Sequence, residues 1–357
     1  MSNTKSVGAF SLGLTYAGCF LGAGYVSGQE LWQFFGSFGL WGYFGLAFSV
    51  ILFFIFGVIL VRLVQITKKS SFDEVIIYRN YPRIRNALSI STILLMFSVI
   101  VIMCAGAGSI LDQTFEIPYF IGCAVFCLMI GLFAMGGISW VIKVFSYVVP
   151  VLVFVTLVIC FSAVSKYGIN TNIEATNVNP LIGNWFLSAL NYVSYNIIGF
   201  IGTIVPVALC VKSKNNAYTG IMFGCIIVLS LATGIILAIT SMISSVQTEL
   251  PMLDVAFSLS SVFGYVYSAL LLCAMLGTSL ACFAAITEYI KEKFPMSRNH
   301  MGKINSIIGI ISFFGSLAGF GTLVGLIYPI FGYLGFVVLF FIVYSYILVK
   351  NNSDVTK

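Results

Sequence analysis

The sequence predicts an all-α polytopic membrane protein of about ten transmembrane helices, arranged as two inverted five-helix repeats. Of the 357 residues, 60% are hydrophobic and only 8% are charged, whereas an average soluble domain carries about 25% charged residues. The mean hydropathy of +1.08 indicates the same class of protein. A surface that faces water needs far more charge than this chain has. The composition therefore excludes a soluble domain and a nucleic-acid-binding protein, and it makes the lipid bilayer the first expected partner.

The sequence contains ten apolar segments, where a membrane span needs about 20 apolar residues. The predicted helices cover 7–37, 40–67, 87–111, 117–136, 140–164, 184–211, 217–244 and 260–289, and two more share 304–349 with a turn near Gly319–Thr322.

The basic residues predict the orientation of these helices, because cytoplasmic loops of membrane proteins are rich in Lys and Arg. If the N-terminus is cytoplasmic, only Lys166 of the 17 basic residues lies on the external side. The cytoplasmic set is Lys5, Arg62, Lys68, Lys69, Arg79, Arg83, Arg85, Lys143, Lys212, Lys214, Lys291, Lys293, Arg298, Lys303, Lys350 and Lys357. We therefore expect a plasma-membrane protein with both termini in the cytoplasm, and we attribute the net charge of +6 to topology.

A polar stretch divides the chain into two halves of five helices each. It gives a first repeat over 1–164, an external linker over 165–183, a second repeat over 184–349 and a cytoplasmic tail over 350–357. Because five is odd, the second half must cross the membrane with the opposite polarity. Short matches support the repeat, since Tyr25-Val26-Ser27 recurs at 192–194 and the Cys-Ala pair at 104–105 recurs at 273–274.

One stretch of seven residues in helix 1 contains three glycines, Gly22, Gly24 and Gly28, and the polar residues Gln29 and Glu30 follow directly. Glycine weakens a helix by about 1 kcal/mol relative to alanine, although it also allows close helix packing in membranes. A carboxylate this far into a span is costly if it faces lipid. The combination favours an unwound segment at a polar cavity, where free carbonyls attract cations and free amides attract anions.

Helix 6 is the matching element of the second half, and it is polar from Asn191 to Asn196. Tyrosines at this position are also typical of the membrane interface. We predict a second break around Tyr195–Gly199, because paired discontinuities at corresponding positions indicate a transport site.

Three further features complete the predicted site. The hydroxyls of Thr278 and Ser279 in helix 8 either bond the backbone one turn back or face the carbonyls near Gly22 as a Na⁺ site. Gly106 in helix 3 allows the close approach of a substrate. Glu30, with Gln29 beside it, is expected to carry a coupling proton, ligate a cation, meet a substrate amine or reach external water.

The run from Leu21 to Glu30, with Gln33-Phe34-Phe35 and Gly39 after it, resembles the opening motif of the bacterial YkvI-type membrane proteins. These are relatives of the amino acid–polyamine–organocation superfamily. The resemblance implies a LeuT-like fold and an amino acid or organic amine substrate carried with Na⁺ or H⁺. It also implies that the broken segment holds the substrate carboxylate, that helix 6 faces its side chain, and that a hydroxyl pair in helix 8 binds sodium. The corresponding residues are Gly22, Ala23, Gly24, Tyr25, Ser27 and Gly28 in helix 1, Tyr195, Asn196 and Gly199 in helix 6, and Thr278 and Ser279 in helix 8.

Together these features predict a secondary active transporter that binds a small-molecule substrate and works by alternating access. The alternative is a protein of the same fold that senses a ligand without transport. We do not expect an enzyme, since the one histidine, His300, lies in a basic loop. We expect no cofactor and no metal beyond the coupling ion, Na⁺ or H⁺. The sequence leaves the oligomeric state undetermined.

Overall fold

A computed structural model describes residues 8–69, 72–77, 81–135, 138–170, 175–176, 178–211, 213–293 and 301–355. Throughout these residues the regular structure is helical, and no strand occurs in them. The predicted all-α class is therefore confirmed. The α-helices are α1 (Ala9–Phe20), α2 (Ala23–Val26), α3 (Gln29–Phe34), α4 (Leu40–Thr67), α5 (Phe72–Ile76), α6 (Pro82–Phe115), α7 (Tyr119–Met135), α8 (Ile138–Tyr167), α9 (Trp185–Leu209), α10 (Lys214–Ser241), α11 (Pro251–Leu259), α12 (Ser261–Lys293), α13 (Met301–Ser316) and α14 (Phe320–Val355).

These helices correspond to the ten predicted segments. In the described part of the chain, seven helices are long and apolar enough to cross a membrane, and α1 and α7 are shorter apolar helices. Predicted helix 1 is divided into α1, α2 and α3, while α13 and α14 share the last apolar segment. The turn between them lies at 317–319, just before the predicted position. The short helices α5 and α11 lie in connections that the sequence treats as loops.

The helix packing follows the twofold relation that inverted repeats require. Suppose that α1–α3 correspond to α9, α4 to α10, and α6 to α12. Each contact between two helices should then have an equivalent contact between the two helices that correspond to them. Accordingly α1 packs on α10 and α9 packs on α4, while α6 and α12 pack on each other. In the same way α8 contacts α12, and α14 contacts α6. The elements with matching sequence motifs are thus those that the packing relates.

Contacts between helix ends bring the basic segments to one end of the bundle. The Gln65 side-chain amide donates to the Val211 carbonyl at 2.8 Å, and the Ser345 hydroxyl donates to the Ile76 carbonyl at 2.6 Å. Arg85 forms an ion pair with Asp73 at 2.9 Å. The helix ends that precede or follow the basic loops therefore lie together, and we call this the basic end of the bundle.

The second predicted break, around Tyr195–Gly199, is wrong. The helix α9 runs from Trp185 to Leu209 without interruption. Its polar side chains find partners that leave the helix intact, since the Asn196 amide donates to the Tyr192 carbonyl one turn back at 2.9 Å. No competing group therefore draws the backbone out of the helix.

Some predictions fall on residues outside the described part of the chain. These include His300, the basic residues Arg79, Lys212 and Arg298, the N-terminal residues 1–7 of the first repeat, positions 171–174 and 177 of the linker, and the last two residues of the tail. The helix α14 continues to Val355, through most of the stretch predicted as the tail.

Candidate functional site

The site begins at the break in predicted helix 1, which the structure confirms. The helix α1 ends at Phe20, and Gly22 is extended with φ −75° and ψ 168° before α2 begins. The four-residue helix α2 ends at Val26, and Gly28 has a left-handed φ of +84° before α3. A residue with a Cβ rarely adopts this conformation, whereas glycine adopts it at little cost. Gly28 therefore makes the break between α2 and α3 possible.

Neighbouring elements hold the carbonyl groups of the broken segment. The Tyr267 hydroxyl of α12 donates to the Val26 carbonyl at 2.6 Å, and the Met252 amide at the start of α11 donates to the Ser27 carbonyl at 3.0 Å. The Ser27 hydroxyl donates to the Gly24 carbonyl at 2.8 Å. The break is thus a fixed part of the fold, because groups that leave the helix ladder find new partners.

The carboxyl group of Glu30 lies in the interior beside this break. Its side chain is buried, with 6% relative exposure. The Tyr195 hydroxyl of α9 donates a hydrogen bond to its Oε1 atom, and the Tyr192 hydroxyl lies near the same carboxyl. The Oε2 atom lies 2.9 Å from the position that a Cβ on residue 24 would occupy. Gly24 therefore leaves the space that this carboxyl fills.

Aromatic rings surround the Glu30 carboxyl. The Tyr195 ring stacks on Tyr328 of α14, with centroids 4.7 Å apart and planes 9° apart. Phe34 packs against Tyr192 and Tyr195, with centroid distances of 5.2 and 5.5 Å. The sequence analysis missed Tyr328, since a tyrosine in a long apolar helix has no local feature that marks it as part of a site.

A cavity of about 200 Å³ opens beside Glu30, Tyr195 and Tyr328. Among the described residues, Glu30 is the one charged side chain in its lining. Its other lining residues come from α1, α6, α9 and α12 and from the break itself: Cys19, Phe20, Gly22, Ala23, Gly24, Thr92, Leu95, Met96, Val99, Met103, Asn196, Gly199, Phe200, Thr278 and Cys282. From the break, the cavity follows each helix toward the basic end of the bundle.

The structure brings most of the predicted site residues together at this cavity and places others behind it. The lining includes Gly22, Ala23, Gly24, Glu30, Tyr195, Asn196, Gly199 and Thr278. The residues outside the lining are Tyr25, Ser27, Gly28, Gln29, Gly106 and Ser279.

The residues behind the cavity have structural contacts of their own. The Tyr25 hydroxyl donates to the Val228 carbonyl at 2.6 Å. Gly106 allows α6 to approach α12, since a Cβ at this position would lie 2.6 Å from Met275 Cε. Both residues therefore position the helices that carry the lining.

The two hydroxyls of α12 differ in their access to the cavity. The Thr278 and Ser279 hydroxyls donate to the Ala274 and Met275 carbonyls, one turn back, at 3.0 and 2.8 Å. This is the backbone bonding that the sequence left open as the alternative to a Na⁺ site. Thr278 lines the cavity, whereas Ser279 is fully buried. Of this pair, Thr278 is the residue that lines the space that an ion or substrate can enter.

The opposite end of the bundle is closed over the broken segment. The Gln33 side-chain amide donates to the Gly321 carbonyl at 2.7 Å, and the Asn179 side-chain amide donates to the Gly325 carbonyl at 2.6 Å. Both bonds tie the region around α3 and the linker to the first turns of α14. Among the described residues, these bonds therefore connect α3 and the linker to α14 on the side of Glu30 opposite to the cavity.

A carboxylate from a distant loop adds to this closure. Glu249 Oε2 accepts hydrogen bonds from the Phe320 amide at 2.6 Å, the Gly321 amide at 3.3 Å and the Ser109 hydroxyl at 3.0 Å. A negative charge at the N-terminus of a helix is favourable, since the free amides and the helix dipole point toward it. Glu249 thus joins the loop after α10 to α14 and α6, a role that the sequence did not indicate.

Comparison with known proteins identifies two relatives by sequence. No family model matches the chain. It is 23% identical to the uncharacterized membrane protein YkvI of Bacillus subtilis (strain 168) over 326 residues, which covers 91% of this chain and 92% of that protein. It is 26% identical to the uncharacterized protein YyaD of the same organism over 336 residues, covering 90% and 92%. The chain is homologous to both proteins.

Comparison with solved structures establishes a LeuT-like fold. The inward-facing conformation of Mhp1 matches with a TM-score of 0.64 and 13% identity over 98% of this chain and 78% of that one. MhsT in complex with L-phenylalanine matches with a TM-score of 0.64 and 14% identity, covering 94% and 89%. A Na⁺-coupled sialic acid symporter in an outward-open state matches with a TM-score of 0.59 and 15% identity, covering 87% and 72%. At these identities the likeness concerns the fold alone.

Proposed function

We propose that this protein is a secondary active transporter that carries an amino acid or a related small organic amine together with Na⁺ or H⁺. One observation carries the proposal: the buried Glu30 carboxyl, bonded to Tyr195, lies at a helix break that lines an internal cavity. Broken helices beside a cavity at membrane depth are the usual place of substrate and ion binding in transporters of this architecture.

The lining of the cavity suits a positively charged group on the substrate. Glu30 supplies a negative charge, and the Tyr195 and Tyr328 rings stand beside it. An ammonium group is attracted both by a carboxylate and by aromatic faces. A cation that enters this cavity therefore loses contacts with water and gains favourable contacts with the protein in their place.

The broken segment suits the carboxylate of an amino acid. The amides of Ala23 and Gly24, which begin α2, donate to no backbone carbonyl in the described residues. Both residues line the cavity beside Glu30. An α-amino acid therefore finds an acceptor for its ammonium group and donors for its carboxylate within one short segment.

The same carboxyl provides a means of coupling. A buried carboxylate is costly unless a proton, a cation or a substrate ammonium group neutralises it. Glu30 joins the two halves. It belongs to α3 in the first half, and its carboxyl accepts a hydrogen bond from the Tyr195 hydroxyl of α9 in the second half. Neutralisation of Glu30 therefore changes the free energy of the contact between the halves. This is how ion binding stabilises one conformation over the other in our proposal.

The arrangement of the cavity corresponds to an inward-facing state. The cavity follows the helices toward the basic end, which the distribution of Lys and Arg predicts to be cytoplasmic. The far end is closed by the bonds of Gln33, Asn179 and Glu249. Alternating access then requires that these bonds open while the helices close around Thr92 and Cys282.

Uptake by purified protein in proteoliposomes tests the proposal. The substrates are a panel of radiolabelled amino acids and primary amines, each supplied with an inward Na⁺ gradient, with an inward proton gradient and without a gradient. We expect uptake of at least one compound that either gradient stimulates. Binding in a thermal-shift screen of the same panel without flux would favour the ligand-sensing alternative. Neither binding nor flux across the panel would contradict both.

A further inference from the structure

A second cavity lies on the outside of the bundle, between α7 and α13, and α12 stands between it and the Glu30 cavity, since Phe283 lines the first and Cys282 lines the second. It is a groove of about 740 Å³. The helix α7 contributes one wall and α13 the other, with Phe283 of α12 at its base. The lining residues are Ala124, Cys127, Leu128, Gly131, Leu132, Phe283, Gly302, Asn305, Ser306, Gly309, Ile310, Phe313 and Phe314.

Glycines keep this groove open. Gly131 on α7, with Gly302 and Gly309 on α13, has no atom within 4 Å of the position that a Cβ would occupy, among the described residues. Glycines in membrane helices usually bring two helices into close contact. Here they leave an unfilled space instead, and large side chains beside it are exposed, with Leu128 at 68% and Phe314 at 65%.

The length of the groove matches the depth of one leaflet. From Gly302 to Phe314 the α13 wall rises about 18 Å at 1.5 Å per residue. One leaflet contributes about 15 Å to a hydrocarbon core of about 30 Å. The groove starts at the N-terminal turn of α13, at the basic end of the bundle, and runs along this helix toward its C-terminal half. An acyl chain of that leaflet has the length to fill it.

The mouth of the groove is polar, and lysines lie at the helix ends beside it. The Asn305 amide oxygen is buried there and has no hydrogen-bond partner among the residues that the structure describes. Lys303 is exposed two residues earlier, in the first turn of α13. At the end of the neighbouring helix α12, Lys293 is exposed and Lys291 forms an ion pair with Glu288 at 3.5 Å. A basic pocket at the end of membrane helices favours an anionic lipid headgroup. The Asn305 amide, about half a turn deeper than Lys303, suits the glycerol and ester groups below such a headgroup.

We propose that the groove between α7 and α13 is a binding site for an anionic phospholipid of the leaflet at the basic end. One acyl chain lies along Gly131 and Gly309, and the phosphate lies near Lys303. This site is separate from the proposed transport function, and neither proposal depends on the other. It makes the lipid a structural ligand that fills a space between two helices of the fold.

Native mass spectrometry of the delipidated full-length protein tests the site. The probes are palmitoyl-oleoyl phosphatidylglycerol and the matching phosphatidylcholine, added separately and in competition. We expect one phosphatidylglycerol retained per chain in preference to phosphatidylcholine. Excess inorganic phosphate should not displace it, because the acyl chain supplies most of the contact. Failure of the wild-type protein to retain either lipid would overturn the proposal.

Two variants separate the acyl and headgroup contacts. Gly309→Leu fills the groove where the space is open. Retention of both lipids should then fall about tenfold, which corresponds to two methylene groups of the acyl chain losing their contact with the groove. Lys303→Gln should reduce the preference for phosphatidylglycerol about fivefold and leave phosphatidylcholine unchanged. Retention equal to wild type in Gly309→Leu, or an unchanged preference in Lys303→Gln, would contradict the assignment.

Matched controls carry the same chemical changes elsewhere. Gly202→Leu adds a leucine at an exposed glycine of α9 that also has open space around it, and Lys214→Gln removes an exposed lysine at the start of α10. Both controls should retain lipid as the wild type does. The thermal unfolding temperature in lipid-free detergent verifies that each variant is folded before lipid is added.

Discussion

The Tyr195 hydroxyl donates a hydrogen bond to the Glu30 carboxyl across 165 positions of sequence. The donor belongs to α9, and the acceptor follows the break in predicted helix 1. These are the elements that the inverted repeat relates to each other. A single contact therefore joins the two halves at the wall of the cavity, and a change in the charge of Glu30 acts on both halves at once.

Glu30→Gln is the first test of the proposed coupling role. Glutamine keeps the size of the side chain and can still accept the hydrogen bond from Tyr195, but it cannot bind or release a proton. We expect gradient-stimulated uptake to fall at least about tenfold, as for loss of one charged contact. The dependence of any remaining uptake on pH should also disappear. The measurement is proteoliposome uptake of the best panel compound over a series of pH values.

Glu116→Gln is the matched control, because this carboxylate is exposed just after the end of α6. Its uptake and pH profile should equal those of the wild type. An unchanged pH profile in Glu30→Gln would remove Glu30 from the coupling mechanism while leaving substrate transport intact.

Tyr195→Phe tests the hydrogen bond itself. The ring that stacks on Tyr328 is kept, and the hydroxyl donor to Glu30 is lost. A buried acceptor left without its partner costs about 1–3 kcal/mol. We expect a lower thermal unfolding temperature and a displaced pH profile of uptake, because the protonation of Glu30 no longer competes with this bond. Tyr333→Phe is the control, since its hydroxyl donates to Leu181 away from the cavity. Equal pH profiles in the two variants would argue against a functional Glu30–Tyr195 bond.

Thr278→Val and Ser279→Ala, made separately, test the sodium hypothesis. Thr278 lines the cavity, whereas Ser279 is fully buried outside its lining. If Na⁺ binds beside α12, Thr278→Val should raise the Na⁺ concentration for half-maximal uptake about tenfold, since one ligand oxygen is lost. Ser279→Ala should have little effect. The measurement is a Na⁺ titration of uptake at constant ionic strength. Uptake by the wild-type protein that is independent of Na⁺ would exclude the sodium site.

Glu249→Gln tests the closure at the far end of the bundle. The charged carboxylate accepts bonds from the first amides of α14 and from Ser109, and charge-assisted bonds contribute about 1.5–3 kcal/mol. Their weakening should favour the conformation that is open at that end. We therefore expect slower maleimide labelling of Cys19 and Cys282, which line the cavity, relative to Cys210 at the end of α9. Peptide mass spectrometry resolves the individual cysteines.

Asp112→Asn is the control for this experiment, because Asp112 is exposed near the same end of α6. Its labelling ratio should match the wild type. A ratio in Glu249→Gln that is also unchanged would mean that the Glu249 contacts do not control access to the cavity.

The features of this fold that could be predicted from the sequence are those whose cause lies in neighbouring residues. Composition and apolar length predicted the helical bundle, because each span must be apolar along its whole length. The break at Gly22 and Gly28 was predictable, since its cause lies in neighbouring residues. The break expected in α9 was wrong because the Asn196 amide bonds its own helix.

The contacts that sequence reasoning missed join residues far apart in the chain. Glu249 bonds the Phe320 amide across 71 positions, and Tyr328 meets Tyr195 only in the folded bundle. Neither residue differs in its local sequence from an ordinary loop carboxylate or an ordinary helix aromatic. Tertiary packing alone decides that they belong to the site and to its closure.

Gly28→Ala tests whether the break is fixed by backbone conformation. The φ of +84° at this position costs a residue with a Cβ about 1–2 kcal/mol. The added methyl group would also meet Met252 Cγ at 3.0 Å, beside the amide that bonds the Ser27 carbonyl. We expect a lower thermal unfolding temperature in detergent. Gly22→Ala is the matched control, because Gly22 has φ −75° and open space around it, so its unfolding temperature should equal that of the wild type. Equal temperatures for the two variants would show that the left-handed conformation of Gly28 does not hold the break in place.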